Sequence, residues 1–148
     1  CIDFDYSRGK LGHIKINNAN NDGVDFMQSD VEASHIEIFG AGDKGFSIGE
    51  MSHVKIGNSR VSTSEIAVAV KDMSEAEIEH STFSQNKVAV SVYSKNWRFG
   101  GPGRILIKSA EFLLNNVDLD IEESAQVQIF DDVNVKVLTG DGSLSYVR

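Results

Sequence analysis

The sequence predicts an all-β protein folded as a parallel β-helix, a solenoid of about six coils with three short strands in each coil. Apolar and polar residues alternate with a period of two over short segments separated by Gly, Asn, Ser and Asp, and helical periodicity is nearly absent. Residues 2–16 also align without a gap on residues 24–38, an offset of 22 residues. A repeat of this length is too short for a propeller blade and lacks the leucine-rich pattern, so stacked coils are expected.

Each coil is expected to contribute a first, a second and a third strand. First strands begin at Ile2, Val24, Phe46, Ile66, Val88 and Val117. Second strands are expected at 13–16, 35–38, 53–56, 75–78, 104–107 and 126–129, and shorter third strands end in Val61, Phe83, Phe112 and Val133. The coils then lie near 2–23, 24–45, 46–65, 66–87, 88–116 and 117–138, in a single domain over 1–148.

Strict alternation predicts which residues of the first strands point into the coil. The inward set is Phe4, Val24, Phe26, Phe46, Ile48, Ile66, Val68, Val88, Val90, Val117 and Leu119. The outward set of the central coils has small side chains: Ser47, Gly49, Ala67, Ala69, Ala89 and Ser91. We expect these residues to form a smooth strip, either open to a ligand or covered by another domain or subunit.

Charge and composition exclude several classes of protein. The 148 residues include 14 basic and 22 acidic side chains, a net charge of −8, which argues against binding to nucleic acid. No apolar run approaches the roughly 20 residues of a membrane-spanning helix. The single cysteine, Cys1, excludes an internal disulfide framework. The chain begins inside a strand and neither end shows a cap, so we expect a fragment of a longer chain, with neighbouring domains or self-association through the ends.

Two acidic turn motifs give the chain a family resemblance. Asn-Asp-Gly-Val-Asp at 21–25 and Gly-Asp-Lys-Gly-Phe-Ser-Ile-Gly at 42–49 lie one coil apart. They resemble the right-handed parallel β-helices of the pectin-lyase-like superfamily, and polygalacturonases most closely. The resemblance implies right-handed coils, an extracellular or cell-surface location, and a substrate groove on the outward face of the first strands.

Catalysis is one function that this resemblance implies. Asp22 matches the first catalytic carboxylate of polygalacturonases and Asp43 the first of their paired aspartates, but the second of that pair is Lys44 and the family histidine has no match. Lys44 should keep both carboxylates ionised, which does not suit the acid of a glycoside hydrolase. A polysaccharide lyase needs less, and Asp22, Asp43 and Lys44 are its candidate residues; the alternative is that they are structural turn residues.

Calcium is the one metal ion that the acidic residues suggest, although no cofactor is required. Asp22, Asp25 and Asp43 are the candidate ligands, with Lys44 or Lys71 left to act on the substrate. Calcium would also allow an acidic protein to bind an acidic polymer. The alternative is a solvated acidic face.

The longest insertion in the repeat, residues 93–103, predicts a binding loop. It holds the only tryptophan, whose ring can stack on sugars, and basic groups that can pair with carboxylate or sulfate. The candidate substrate-binding residues are Ser47, Lys71, Ser91, Tyr93, Lys95, Trp97 and Arg98. In the alternative, Trp97 and Phe99 fold back over the hydrophobic core.

Two further columns are expected on the second strands. His13, His35 and His53 should stack one coil apart, as a side-chain ladder or a metal site. Next to them, Lys15, Glu37, Lys55 and Glu77 should alternate in sign and form a surface ladder of ion pairs.

The first functional hypothesis is therefore an extracellular or cell-surface domain that binds an extended polysaccharide without catalysis. The second is a polysaccharide lyase or glycoside hydrolase acting on an acidic glycan. The third is a structural spacer or assembly module.

Overall fold

The computed structural model describes residues 1–130 and the strands Val135–Leu138 and Leu144–Val147. These residues form a parallel β-solenoid of about six turns, which confirms the predicted fold. Across this part of the chain, no helix reaches the length and apolarity needed to cross a membrane.

The strands are short and follow one another around the coils. In chain order they are β1 (Ile2–Asp5), β2 (Arg8–Asn17), β3 (Val24–Met27), β4 (Asp30–Phe39), β5 (Lys44–Gly49), β6 (His53–Gly57), β7 (Arg60–Ser62), β8 (Ile66–Lys71), β9 (Glu75–Glu79), β10 (Ser81–Ser84), β11 (Val88–Tyr93), β12 (Arg104–Ile107), β13 (Ala110–Leu113), β14 (Val117–Ile121), β15 (Gln126–Ile129), β16 (Val135–Leu138) and β17 (Leu144–Val147). A 3₁₀ helix, Trp97–Phe99, lies between β11 and β12.

The first strands form one sheet and the second and third strands form another. The first sheet has eight strands in the order β1-β3-β5-β8-β11-β14-β16-β17, parallel except for the last pair. The second sheet has nine strands, with β2 pairing on β4. Because β16 pairs with β14, it begins a further turn, although the prediction placed it at the end of the sixth coil. Val133 lies outside the described residues.

The register of the second sheet corrects the predicted histidine column. His13 and His35 stack, with ring centroids 4.9 Å apart, but His53 pairs with Asp30 and Glu75. In the first two coils, the second and third strands are fused into β2 and β4, which bend at His13 and His35. The segments 13–16 and 35–38 therefore lie at the third-strand position of their coils, and 53–56, similar in sequence, lies at the second-strand position. Alternation alone could not reveal this shift, because apolar and polar residues alternate in the same way before and after a corner.

The predicted ladder of ion pairs shifts for the same reason. Lys15 does pair with Glu37, at 3.2 Å. Lys55, however, lies in register between Glu32 and Glu77, and Lys10 pairs with Glu32 at 2.7 Å. The alternating column is therefore Lys10, Glu32, Lys55 and Glu77.

In the first four coils, every corner contains a residue with a left-handed backbone conformation. The first corner has Tyr6, Gln28, Met51 and Met73; the second has His13, His35, Asn58 and His80; the third has Asn18, Gly40, Thr63, Gln85 and Leu114. Their φ angles lie between 46° and 71°. This conformation turns the chain sharply within one or two residues, which allows strands to follow one another almost without loops.

The residue after each corner is usually a buried serine or asparagine that binds the neighbouring coil. At the first corner, the backbone N–H of Ser7 donates to Ser29 Oγ, that of Ser29 to Ser52 Oγ and that of Ser52 to Ser74 Oγ, at 3.0–3.1 Å. At the third corner, Ser64 N–H donates to Asn86 Oδ1 at 3.0 Å. Unpaired N–H groups would be costly in these buried positions, so the ladders hold the coils in register.

A column of small residues near the start of β5, β8 and β11 corrects the predicted inward set. A Cβ atom added to Gly45 would lie 2.5 Å from Val61 Cγ1, so this position points into a narrow part of the core. Ala67 and Ala89 follow in the same column and are fully buried in the core. Ile66, Val88 and Val117, expected inside, are half-buried and lie outside the core cluster. The alternation therefore shifts by one residue at the start of β8, β11 and β14.

Replacing Ser52 with alanine should lower the free energy of unfolding by ~1–3 kcal/mol, because the buried N–H of Ser29 loses its acceptor and Gly49 C=O loses the Ser52 hydroxyl. Urea denaturation followed by circular dichroism measures the change. The control is Ser84→Ala, at a half-buried strand position outside the ladders. Equal effects of the two substitutions would contradict the role of the ladder.

Candidate binding face

The candidate site lies on the outer face of the eight-stranded sheet and continues into the loop that leaves β11. The central outward column of this face is Asp3, Asp25, Ser47, Ala69, Ser91 and Asp120. The next outward column contains Met27, Gly49, Lys71 and Tyr93. Acidic residues thus flank the small ones at both ends of the central column.

The small residues do not form an open groove. Ser47 and Ala69 are 0% exposed and Ser91 is 4% exposed. Lys71 covers part of them, because a Cβ atom on Gly49 would lie 2.8 Å from Lys71 Cε and the ammonium donates to Ser47 Oγ at 2.8 Å. Ala67 and Ala89 point into the core, and Lys71 lies over Ser47 and Gly49. A ligand on this face would therefore contact covering side chains such as Lys71 and not a smooth strip of small residues.

Lys71 is a buried cation among incompletely paired carboxylates. Only 3% of it is exposed, and burial, reinforced by repulsion from Lys95, lowers its pKa. The charges of Asp25 and Glu50 oppose this shift. Burial in turn raises the pKa of Glu50. Asp25 Oδ1 is buried and accepts no hydrogen bond from the described residues.

The three candidate catalytic residues come together, but as an ion pair network at a corner. Lys44 and Asp22 are 7% and 8% exposed, and Lys44 Nζ lies 3.7 Å from Asp22 Oδ1 and contacts Asp43 Oδ2. The backbone N–H of Lys44 also donates to Asp22 Oδ1 at 3.1 Å. Burial works against the charge of Lys44, yet the hydrogen bond that its ammonium donates to Asp43 and the charge of Asp22 raise its pKa. The network therefore holds a protonated lysine in place and suits a structural role.

The candidate calcium ligands have no preformed site. Among the described residues, no three His, Cys, Asp or Glu side chains are grouped so that they would hold a metal ion. Asp22 and Asp43 are both engaged by Lys44, while Asp25 faces the charge of Lys71.

The loop after β11 is anchored by carboxylates from the coils on both sides. Asp72, fully buried, accepts the backbone N–H groups of Lys95 and Asn96 at Oδ1, at 2.8 and 2.7 Å. Glu122 accepts the N–H and the hydroxyl of Ser94, at 2.6 and 3.0 Å. Asn96 then caps the 3₁₀ helix by accepting the N–H of Arg98 at 3.1 Å. These contacts give the loop a defined conformation.

The anchored loop presents an aromatic ring to solvent. Trp97 is 83% exposed, and the Arg98 guanidinium carbon lies 5.8 Å from the centre of its ring. Phe99 is half-buried, and no residue of the 3₁₀ helix is fully buried. The alternative prediction, that the loop folds back over the hydrophobic core, is therefore wrong for Trp97.

Glu50 and Asp72 are the residues of this face that the sequence reasoning missed. Both precede a methionine at the first corner, in the triplets Glu50-Met51-Ser52 and Asp72-Met73-Ser74. The repeat of an acid, a methionine and a serine at an interval of 22 residues is the signal that would have identified them.

Comparison with known proteins adds no relative. No family model matches the chain, and neither a curated protein nor a solved structure matches it.

Replacing Asp72 with glycine should release the loop and speed tryptic cleavage after Lys95 and Arg98, because two N–H groups lose their acceptor. Glycine tolerates the left-handed backbone at this position, where φ is 55°, so the substitution removes the carboxylate without adding backbone strain. Asp72→Asn keeps an acceptor and should be cleaved as slowly as the parent protein. Equal cleavage rates for Asp72→Gly and the parent protein would contradict the anchoring role.

Replacing Lys71 with methionine should stabilise the protein at neutral pH and flatten its stability at alkaline pH. Burial lowers the pKa of Lys71 in the folded state, so between that pKa and 10.5 the unfolded chain binds more protons. The parent protein should therefore gain stability as the pH rises through this window, and the variant should not. Urea denaturation between pH 7 and pH 10.5 measures this, with Lys55→Met, at an exposed lysine, as the control. A variant that is less stable at neutral pH and keeps the alkaline gain would contradict the account.

Proposed function

We propose that this chain is a non-catalytic β-helix domain that binds an extended polysaccharide, with the loop after β11 as its main contact. The observation that carries the proposal is the exposure of Trp97 on an anchored loop. The large apolar ring of Trp97 lies in water and contributes little to the core, so folding does not require it. Exposed aromatic rings of this kind are typical of recognition sites.

The groups around Trp97 suit a sugar polymer. The ring offers a flat face for stacking, and the exposed side chains of Lys95 and Arg98 can pair with carboxylate or sulfate groups. Burial raises the pKa of Tyr93, so its hydroxyl stays protonated and can donate to a sugar oxygen. Because the loop is already ordered, binding pays little of the entropy that ordering a flexible loop would cost.

The shape of the sheet favours an extended ligand. Its outer face repeats every coil, about 4.8 Å along the axis, and it offers side chains in rows and not a deep pocket. An extracellular or cell-surface location, where such polymers occur, is part of the proposal and rests on the resemblance in sequence.

The catalytic hypotheses gain less support from the geometry. Lys44 is protonated and engaged by both candidate carboxylates, so neither Asp22 nor Asp43 is free to act as an acid or a base. A lyase would need these contacts to open when substrate binds.

Trp97→Ala should weaken binding to the recognised polymer about tenfold, because one stacked ring is lost. The assay measures binding to an array of neutral, carboxylated and sulfated polysaccharides, and then affinity by titration calorimetry. Phe39→Ala is the matched control, since Phe39 is an aromatic residue 50% exposed on the other sheet.

The same array separates the alternatives. Binding by the Trp97→Ala variant at the parental affinity would contradict the proposal. Release of products that absorb ultraviolet light, lost in Asp22→Asn, would instead establish a lyase. Failure to bind any polymer would leave a structural spacer.

A further inference from the structure

The first corner of the solenoid carries exposed apolar side chains in three of the first four coils. Tyr6, Met51 and Met73 are 72%, 55% and 51% exposed, and Gln28 occupies this corner in the second coil. The next coil places the loop of Trp97 here, because the N–H of Met73 donates to Gly101 C=O at 3.2 Å. We call the row of Tyr6, Gln28, Met51, Met73 and Trp97 the corner ridge.

Folding does not explain the residues of the corner ridge. Met51 and Met73 have φ angles of 64° and 60°, a conformation that asparagine or glycine adopts at lower cost. Met51 and Met73 are both more than half exposed, so neither side chain is buried in the core. The second and third corners carry mostly polar residues in the same conformation: His13, His35, Asn58, His80, Asn18, Thr63 and Gln85. Large apolar side chains therefore accumulate at the first corner for a reason other than turning the chain.

We propose that the corner ridge is the track along which the polysaccharide lies, with one sugar ring facing each coil and Trp97 at one end. This inference rests on the proposed function and specifies where the polymer runs: along the edge between the two sheets, and not over the covered strip of Ser47, Ala69 and Ser91.

The dimensions of the corner ridge favour a linear polymer over a folded protein. The ridge is one side chain wide and repeats every ~4.8 Å, close to the length of one sugar ring in an extended chain. A stable protein partner needs a broad patch of about 800 Å² on each side.

Polar groups that can bind hydroxyls follow the ridge along its whole length. The column that begins β2, β4, β6, β9 and β12 is in register from coil to coil: Arg8, Asp30, His53, Glu75 and Arg104. Arg8 lines a cleft with Tyr6, Gln28 and Met51, and Arg104 lines a second cleft with Met73 and Gly101. Apolar and polar groups therefore occur side by side in the same clefts. The apolar groups can pack on the faces of sugar rings, and the polar groups can bind the hydroxyls at the ring edges.

Replacement of Met51 and Met73 by asparagine, singly and together, tests the track. Asparagine suits the left-handed backbone, so the thermal unfolding midpoint should stay the same or rise, while each substitution weakens polymer binding roughly three- to tenfold. Leu114→Asn is the matched control: Leu114 is 81% exposed with a φ of 57°, but it lies at the third corner. The probes are polygalacturonate, a (1→4)-β-glucan and a sulfated galactan, each as the polymer and as oligosaccharides of two to eight sugars.

Weaker binding by both methionine variants, unchanged binding by Leu114→Asn, and affinity that grows with oligosaccharide length over several sugars would support the track. Parental affinity in both methionine variants, with binding lost in Trp97→Ala, would overturn the track and leave the proposed function standing. Binding of none of the three probes by the parent protein would overturn the track and the proposed function together.

Discussion

The solenoid depends on how the backbone is satisfied at its corners. In the first four coils each corner contains a left-handed residue, and the backbone N–H that follows is mostly buried, where only a neighbouring coil can supply an acceptor. The oxygens of Ser29, Ser52 and Ser74 supply it at the first corner, and those of Asn86 and Asn115 at the third. Because each ladder joins equivalent residues, the corners set the register of both sheets.

The corners also place the groups that could bind a ligand. Asp72 is itself a left-handed residue beside the first corner, and from there its carboxylate reaches the backbone of the loop in the next coil. The same corner directs Tyr6, Met51 and Met73 into solvent, and Met73 lies next to that loop. The repeat that builds the fold thus aligns exposed side chains along the axis, which gives a rigid linear surface and not a pocket.

Alternation and the 22-residue offset were sufficient to predict the parallel coils, most of the core and the position of the loop after β11. They left open whether Trp97 in that loop faces solvent or the core. They could not predict the register of His53 and Lys55. The alternation continues across the corner inside β4, and only the pairing of strands between coils shows where that corner lies. They also misplaced Ile66 and Ala67, because the narrow core opposite Val61 shifts the alternation locally. Lys44 stands at the position of a catalytic aspartate of the resembled family. Its pairing with Asp22 and Asp43 depends in part on contact between coils, which the sequence motifs do not show.

The central claim is that an extended polysaccharide binds at the loop after β11 and the adjoining edge of the solenoid. Hydrogen–deuterium exchange of the backbone amides, with and without the polymer that binds the array, tests it most directly. The account predicts slower exchange at Ser94–Gly100 and at the first-corner amides of Met51 and Met73, with no change at Thr63 and Gln85 of the third corner. Protection confined to the nine-stranded sheet, or none at the loop, would contradict it.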